Sequence, residues 1–107
     1  MAHEVHSQLH QLVLDILWSD PTDTDKQLGI QPNVARDPCR TGNIVKFGPD
    51  RVRFFLAHNK AKILIRAHEC VMDGFERFAG GLMFTVFSAT DYCGSHKNAG
   101  AMLQITK

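Results

Sequence analysis

The sequence predicts an α+β fold, on three observations. A short strand pattern, NIVKFG (Asn43–Gly48), runs into a helix start at Gly48-Pro49-Asp50, and a second apolar strand pattern, KILIRAH (Lys62–His68), follows. After that strand–helix–strand unit the chain changes to short apolar stretches separated by Asp73-Gly74 and Gly80-Gly81, which reads as an antiparallel run. The length, 107 residues with 44% apolar side chains, suits one small domain with a modest core and argues against global disorder.

The elements follow in order. In MAHEVHSQLHQLVLDILW, the residues Val5, Leu9, Leu12, Val13, Ile16 and Leu17 recur at roughly helical spacing, although the short apolar stretch LVLDILW also fits a strand. Ser19–Asn43 holds three of the four prolines and many Asp, Thr, Asn and Gly residues, so it reads as a long loop. Loops of that length inside a compact domain are often functional. Proline is preorganised for a first helical turn and Asp50 suits the helix dipole, so a helix is expected over Arg51–Lys60, with Val52, Phe55 and Leu56 on one face. KILIRAH is expected as a buried strand. FERFA (Phe75–Ala79), LMFTVFSA (Leu82–Ala89) and AMLQIT (Ala101–Thr106) are expected as further strands, with the loop TDYCGSHKNAG before the last.

Composition removes several function classes. A net charge of +1, from 12 basic and 11 acidic residues, gives no electrostatic case for nucleic acid or an anionic membrane. No apolar run approaches membrane-spanning length, and no signal-peptide pattern opens the chain. Cys39, Cys70 and Cys93 are an odd count without CxxC spacing, which points to reduced thiols and an intracellular location, cytoplasmic or nuclear. His3, His6 and His10 share one helical face, but on a terminal segment, and are taken as incidental.

The residues after KILI pose a chemical question. A strand pattern that ends in Arg66, His68 and Glu69 either reaches solvent or lines a site that uses these groups, because unpaired buried charge is costly. The stretches LWSDP (Leu17–Pro21), FGPDRVRFFL (Phe47–Leu56), IRAHECVMDGFE (Ile65–Glu76), TVFSATDYCG (Thr85–Gly94) and NAGAM (Asn98–Met102) answer it. In order and spacing they resemble the C-terminal portion of the phosphoprotein phosphatase catalytic domain, the dimetal serine/threonine family. RAHECVMDGFERFAGG looks closest to the Kelch-repeat branch. The resemblance implies part of a metallo-dependent phosphatase α/β/β/α sandwich, with mixed sheets and flanking helices. Residues 1–107 then form a single partial domain.

The resemblance also implies site residues. His68 matches the family's strand-end metal ligand, and neutral imidazole suits a transition metal. Arg66 and Glu69 match supporting positions behind it. Trp18 and Asp20 match groove residues near the metals. The family grips phosphate with an arginine in a motif like Asn-x-Arg-Gly, since a guanidinium forks onto two oxygens. In PNVARDPCRTGN that arginine is Arg36 or, alternatively, Arg40, with Asp37 standing where glycine is usual. Tyr92 matches the tyrosine of a substrate-contacting loop, where Thr90 and Asp91 replace the usual proline and asparagine, and Cys93 is that loop's candidate reactive thiol. Each has a plainer reading: His68 as a strand-end histidine with an ordinary hydrogen bond, Trp18 as core, Asp20 as a cap before Pro21, the arginines as solvated, the Tyr92 segment as a hairpin loop.

The family holds two divalent ions (manganese, iron or zinc) through two aspartates, an asparagine and three histidines. Five of these six ligands fall in GDxHG, GDxVDRG, GNHE and a later histidine before Gly-Gly, and none of those motifs occurs in this sequence. The chain is therefore expected to supply one ligand and to be inactive alone. The implied partners are a phosphoprotein substrate, regulatory subunits, and either the remainder of the domain or a second copy. Faces such as Phe84, Val86 and Phe87 would otherwise lack cover. Two alternatives remain: a non-catalytic module that docks regulatory partners, and a small metal-binding domain using His68 with Cys70 or Cys93.

Overall fold

The computed structural model describes the whole chain, Met1–Lys107. It divides into two compact units, Met1–Arg51 and Val52–Lys107. The fold is a small mixed α/β arrangement with two helices and two mixed three-stranded sheets, in agreement with the fold class expected from the sequence.

The first unit opens with helix α1 (Ala2–Trp18). LVLDILW is thus helical, because its apolar spacing continues that of the preceding turns and nothing interrupts it before Ser19. Ser19 ends the helix: its backbone N–H and its hydroxyl both donate to the Asp15 carbonyl. No residue of α1 is buried. Val5, Leu9, Leu12, Val13, Ile16 and Leu17 are 51–71% exposed. Gln11 ties the helix to the loop by donating from Nε2 to the Asn43 carbonyl at 2.9 Å.

The long segment after α1 is mostly loop, as expected, but contains two short strands that the sequence did not signal. Strand β1 (Asp20–Pro21) pairs in parallel with β3 (Val45–Phe47), and β2 (Ile30–Pro32) pairs antiparallel with the other side of β3. The turn between them is closed by Thr22, whose buried hydroxyl donates to the carbonyls of Thr24 and Gln27. Gly48 follows β3 because a Cβ there would overlap the Gln27 carbonyl and the Leu28 backbone. Asp50 accepts the Gly29 N–H at 2.8 Å, so it anchors this turn as well as suiting the helix start.

Helix α2 (Pro49–His58) crosses the boundary between the units. Val52 and Leu56, four residues apart, are buried, whereas Phe55 is half exposed; the expected apolar face is narrower than the sequence suggested.

The second unit holds a sheet of order β4-β6-β5, formed by Leu64–Arg66, Met83–Val86 and Phe75–Phe78. β4 runs parallel to β6 and β5 antiparallel to it. Its core is Val52, Leu56, Val71, Phe78, Ala79 and Met83. Met83 and Thr85 point to the buried face of β6, while Phe84, Val86 and Phe87 are half-buried. Two expectations are corrected. KILIRAH gives only a three-residue strand, with Ile63 and Ile65 exposed, because β4 is an edge strand paired on one side alone. AMLQIT forms no strand. The chain leading into it is held elsewhere, Ala99 N–H on the Met72 carbonyl, and its first residue too, Ala101 N–H on Ser88 Oγ. The Asp73-Gly74 turn makes this possible: Gly74 has φ +78°, and a Cβ there would overlap Gly100 and Ala101. No helix is long and apolar enough to cross a membrane.

Candidate functional site

In the first unit the structure brings Trp18, Asp20 and Arg36 together. β1 places the Asp20 side chain in the interior, 3% exposed. Its Oδ2 accepts two hydrogen bonds, from Asn33 Nδ2 at 2.8 Å and from Arg36 Nε at 3.1 Å. The guanidinium centre lies 6.0 Å from the centre of the Trp18 ring, within cation–π range. Asn33, 1% exposed, works in both directions, since its Oδ1 accepts the Arg36 backbone N–H at 3.3 Å. One amide thereby fixes the arginine's main chain and shares its carboxylate.

Arg40 is placed differently. It is exposed, takes φ +53°, and borders a recess of about 250 Å³ with Pro32, Asn33, Val34, Asp37 and Gly42. Asp37 closes the turn that carries Arg40. Its carboxylate accepts the Thr41 N–H (3.0 Å), the Thr41 hydroxyl (3.0 Å) and the Gly42 N–H (2.9 Å). The Thr41 N–H is the main reason its pKa lies below the ordinary value; burial opposes, and Gly42 and the Thr41 hydroxyl reinforce. The residue that departs from Asn-x-Arg-Gly is the one that accepts these three hydrogen bonds.

In the second unit β4 ends at Arg66, whose Nη1 donates to Glu69 Oε2 at 2.8 Å and to the buried Thr85 Oγ1 at 2.9 Å. That grip folds the chain back over four residues, with the exposed His68 near the tip at φ +80°. A histidine in the left-handed region is held there by its surroundings against its own preference. Arg66 and Glu69 are thus paired with one another beside His68. Tyr92 lies on a separate loop, with its ring edge-on to Phe87 at 5.0 Å and tilted against His96 at 5.6 Å. Asp91 Oδ1 accepts the Lys97 N–H at 3.0 Å, so its carboxylate is engaged inside its own loop. Cys39 and Cys93 are exposed and Cys70 half-buried, all as free thiols.

No protein-family model matches the chain. A serine/threonine-protein phosphatase of Arabidopsis thaliana, BSL2, is 55% identical over 92 residues, 86% of this chain. The chain is a C-terminal portion of a phosphoprotein phosphatase domain. A solved serine/threonine phosphatase from Saccharomyces cerevisiae, described as similar to human PP5, matches 78% of this phosphatase segment with a TM-score of 0.64 and 35% identity. The segment spans 8% of the Arabidopsis protein's length and 23% of the yeast chain. The recognition drawn from the motifs, including the Kelch-repeat branch, is borne out.

The phosphatase family uses divalent metals, and the donor set tests how this segment fits them. No three His, Cys, Asp or Glu side chains gather into a metal-holding group. That covers His3, His6 and His10, and His68 with the cysteines. His68, an exposed imidazole just past the end of β4, fits the role of one ligand in a site completed by other residues.

Sequence reasoning overlooked Asn33, which joins Asp20 to Arg36. The signal was present in the Asn of PNVAR, three residues before the arginine, where a side-chain amide readily bonds a nearby backbone N–H.

Proposed function

We propose that this chain is the part of a dimetal protein serine/threonine phosphatase that presents Arg36 to phosphate, His68 to a metal, and Tyr92 to the substrate protein. The reaction is hydrolysis of phosphoserine and phosphothreonine. Bound metal ions would supply an activated water and neutralise charge on the phosphoryl group. The observation that carries the reading is Asp20 holding Arg36. A guanidinium anchored through Nε on a buried carboxylate is fixed in orientation, which is what bidentate capture of a phosphate needs. The 55% identity to a serine/threonine phosphatase supports the same reaction class. Trp18 stacks beside the guanidinium, and the Arg66–Glu69 pair steadies the backbone that carries His68. Arg40 is the second choice for phosphate, because it lacks a comparable buried anchor. Asp91 disfavours anionic side chains next to the phosphorylated residue.

By itself the 107-residue chain has no phosphatase activity, since five of the six family metal ligands are outside its sequence. Purified chain with manganese should not turn over a small phosphate ester; turnover that disappears in His68→Ala would overturn this. The second reading, a non-catalytic module that docks on a partner or on the rest of a phosphatase, is favoured by α1, where Val5, Leu9, Leu12, Val13, Ile16 and Leu17 are exposed. A sharply melting monomer would favour an independent module, whereas aggregation or self-association would favour an incomplete domain.

A further inference from the structure

We infer that Asn98 is the positioning residue for Tyr92: one buried amide sets the conformation of the tip of the Ser88–Ala101 loop. The inference deepens the reading of Tyr92 as a substrate-contacting residue and rests on it for its functional meaning.

The loop needs such a device. Apart from a single 3-10 turn at Tyr92–Gly94 it has no regular structure. Asp91, Cys93 and Lys97 all take left-handed φ, at +48°, +58° and +53°. Non-glycine residues adopt that region at a cost and keep it only where the surroundings over-determine it. Every side chain from Ser88 to Gly100 is exposed except Asn98, which is 4% exposed. Burial of the loop's residues therefore cannot hold it, and hydrogen bonds must.

The Asn98 amide reaches three parts of the loop at once. Its Oδ1 accepts the Tyr92 N–H at 2.9 Å, at the tip. Its Nδ2 donates to the Ala89 carbonyl at 2.9 Å on the outgoing leg and to the Ala99 carbonyl at 3.3 Å on the return. Its own carbonyl accepts the Asp91 N–H at 3.1 Å. The loop's foot is fixed separately, through Ala99 on Met72 and the close approach of Gly100 to Gly74. So Asn98 governs the tip and the foot bonds govern the base. The chemistry selects asparagine, because donors and an acceptor must sit on one short planar frame. An ionised aspartate accepts from Tyr92 but faces two carbonyls with nothing to donate. A serine is too short to span them.

Tyr92 is the chain's only tyrosine, so its ring gives an unambiguous NMR signal, displaced by the neighbouring Phe87 and His96 rings. The experiment is ring-labelled tyrosine spectroscopy of the 107-residue chain, with the Met83 methyl signal reporting the sheet. In Asn98→Ala the Tyr92 displacement is expected to be lost while the Met83 signal stays in place. In Asn98→Asp the displacement is lost at neutral pH and partly returns on acidification, when the protonated carboxyl regains one donor. A Tyr92 signal unmoved in both variants overturns the inference. So does joint loss of the Tyr92 and Met83 signals in both variants, which would make Asn98 a support of the sheet. Turnover does not enter this test, so failure of the phosphatase reading leaves the positioning role standing, and an unmoved ring removes that role whatever the turnover.

Discussion

The first unit buries the polar side chains Asp20, Thr22, Asn33 and Asp37, whereas the second buries Val52, Leu56, Val71, Phe78, Ala79 and Met83 around its sheet, with Thr85 and Asn98 as its buried polar side chains. The same chain thus uses two kinds of interior. Around the sheet of the second unit apolar contact does the holding, is non-directional, and tolerates reshaping at a graded cost. In the first, each buried group has a named partner, and removing one partner strands the other. The directional interior is also the one that fixes Arg36. A side chain that must meet a phosphate in one orientation is better anchored by hydrogen bonds than by packing, since packing alone leaves rotation about the anchor.

The contrast can be broken most severely at Met83, which is fully buried. Met83→Ala should destabilise the chain by about 2–5 kcal/mol in urea unfolding. Ile16→Ala, on the uncovered face of α1, should change it by no more than about 0.5 kcal/mol. Next comes Asn33→Ala, which leaves the buried Asp20 carboxylate short of a donor. A loss of about 1–3 kcal/mol is expected, with freer Trp18 fluorescence as the local sign. A smaller effect tests the strained turn. His68→Ala and His68→Gly both delete the imidazole, but only glycine suits φ +80°. The glycine variant should be the more stable by about 1 kcal/mol in the same titration.

The narrowest effect is pH-dependent and belongs to the Asp37 loop. Its pKa is lowered in the fold, chiefly by the Thr41 N–H, so the loop's contribution is fully present above the ordinary carboxylate range. It is lost as pH falls from about 4 toward the depressed folded value. Amide exchange at Thr41 and Gly42 should accelerate across that interval, and Asp37→Asn should abolish the pH dependence. Unchanged protection in the wild-type loop down to acid unfolding would remove Asp37 as its clasp.

Sequence patterns located what depends on local chemistry. Gly48-Pro49-Asp50 marked the start of α2 because proline and an acidic side chain act within a single turn. The strands around β6 were visible through their bounding glycines. AMLQIT misled because an apolar stretch carries no information about whether a partner strand is free, and here the foot of the Tyr92 loop already holds its first residue. β1 and β2 were invisible because two- and three-residue strands have too few positions to show alternation. At the candidate site, Arg36 and Asp20 were legible only through motif resemblance. Their link through Asn33 depends on chain reversal over 13 residues, which no local pattern encodes.

Helix α1 has a consequence for the protein's lifetime. An isolated helix of 17 residues is marginal in water, and this one rests on no core residue of its own. It will open more often than anything behind it, and a protease needs an opened strand of chain to cut. Trimming should therefore begin within Ala2–Trp18 and slow at Asp20, where the buried hydrogen bonds start. Whatever covers that helix would also be its shield, so resistance to brief digestion becomes a simple assay for a bound companion.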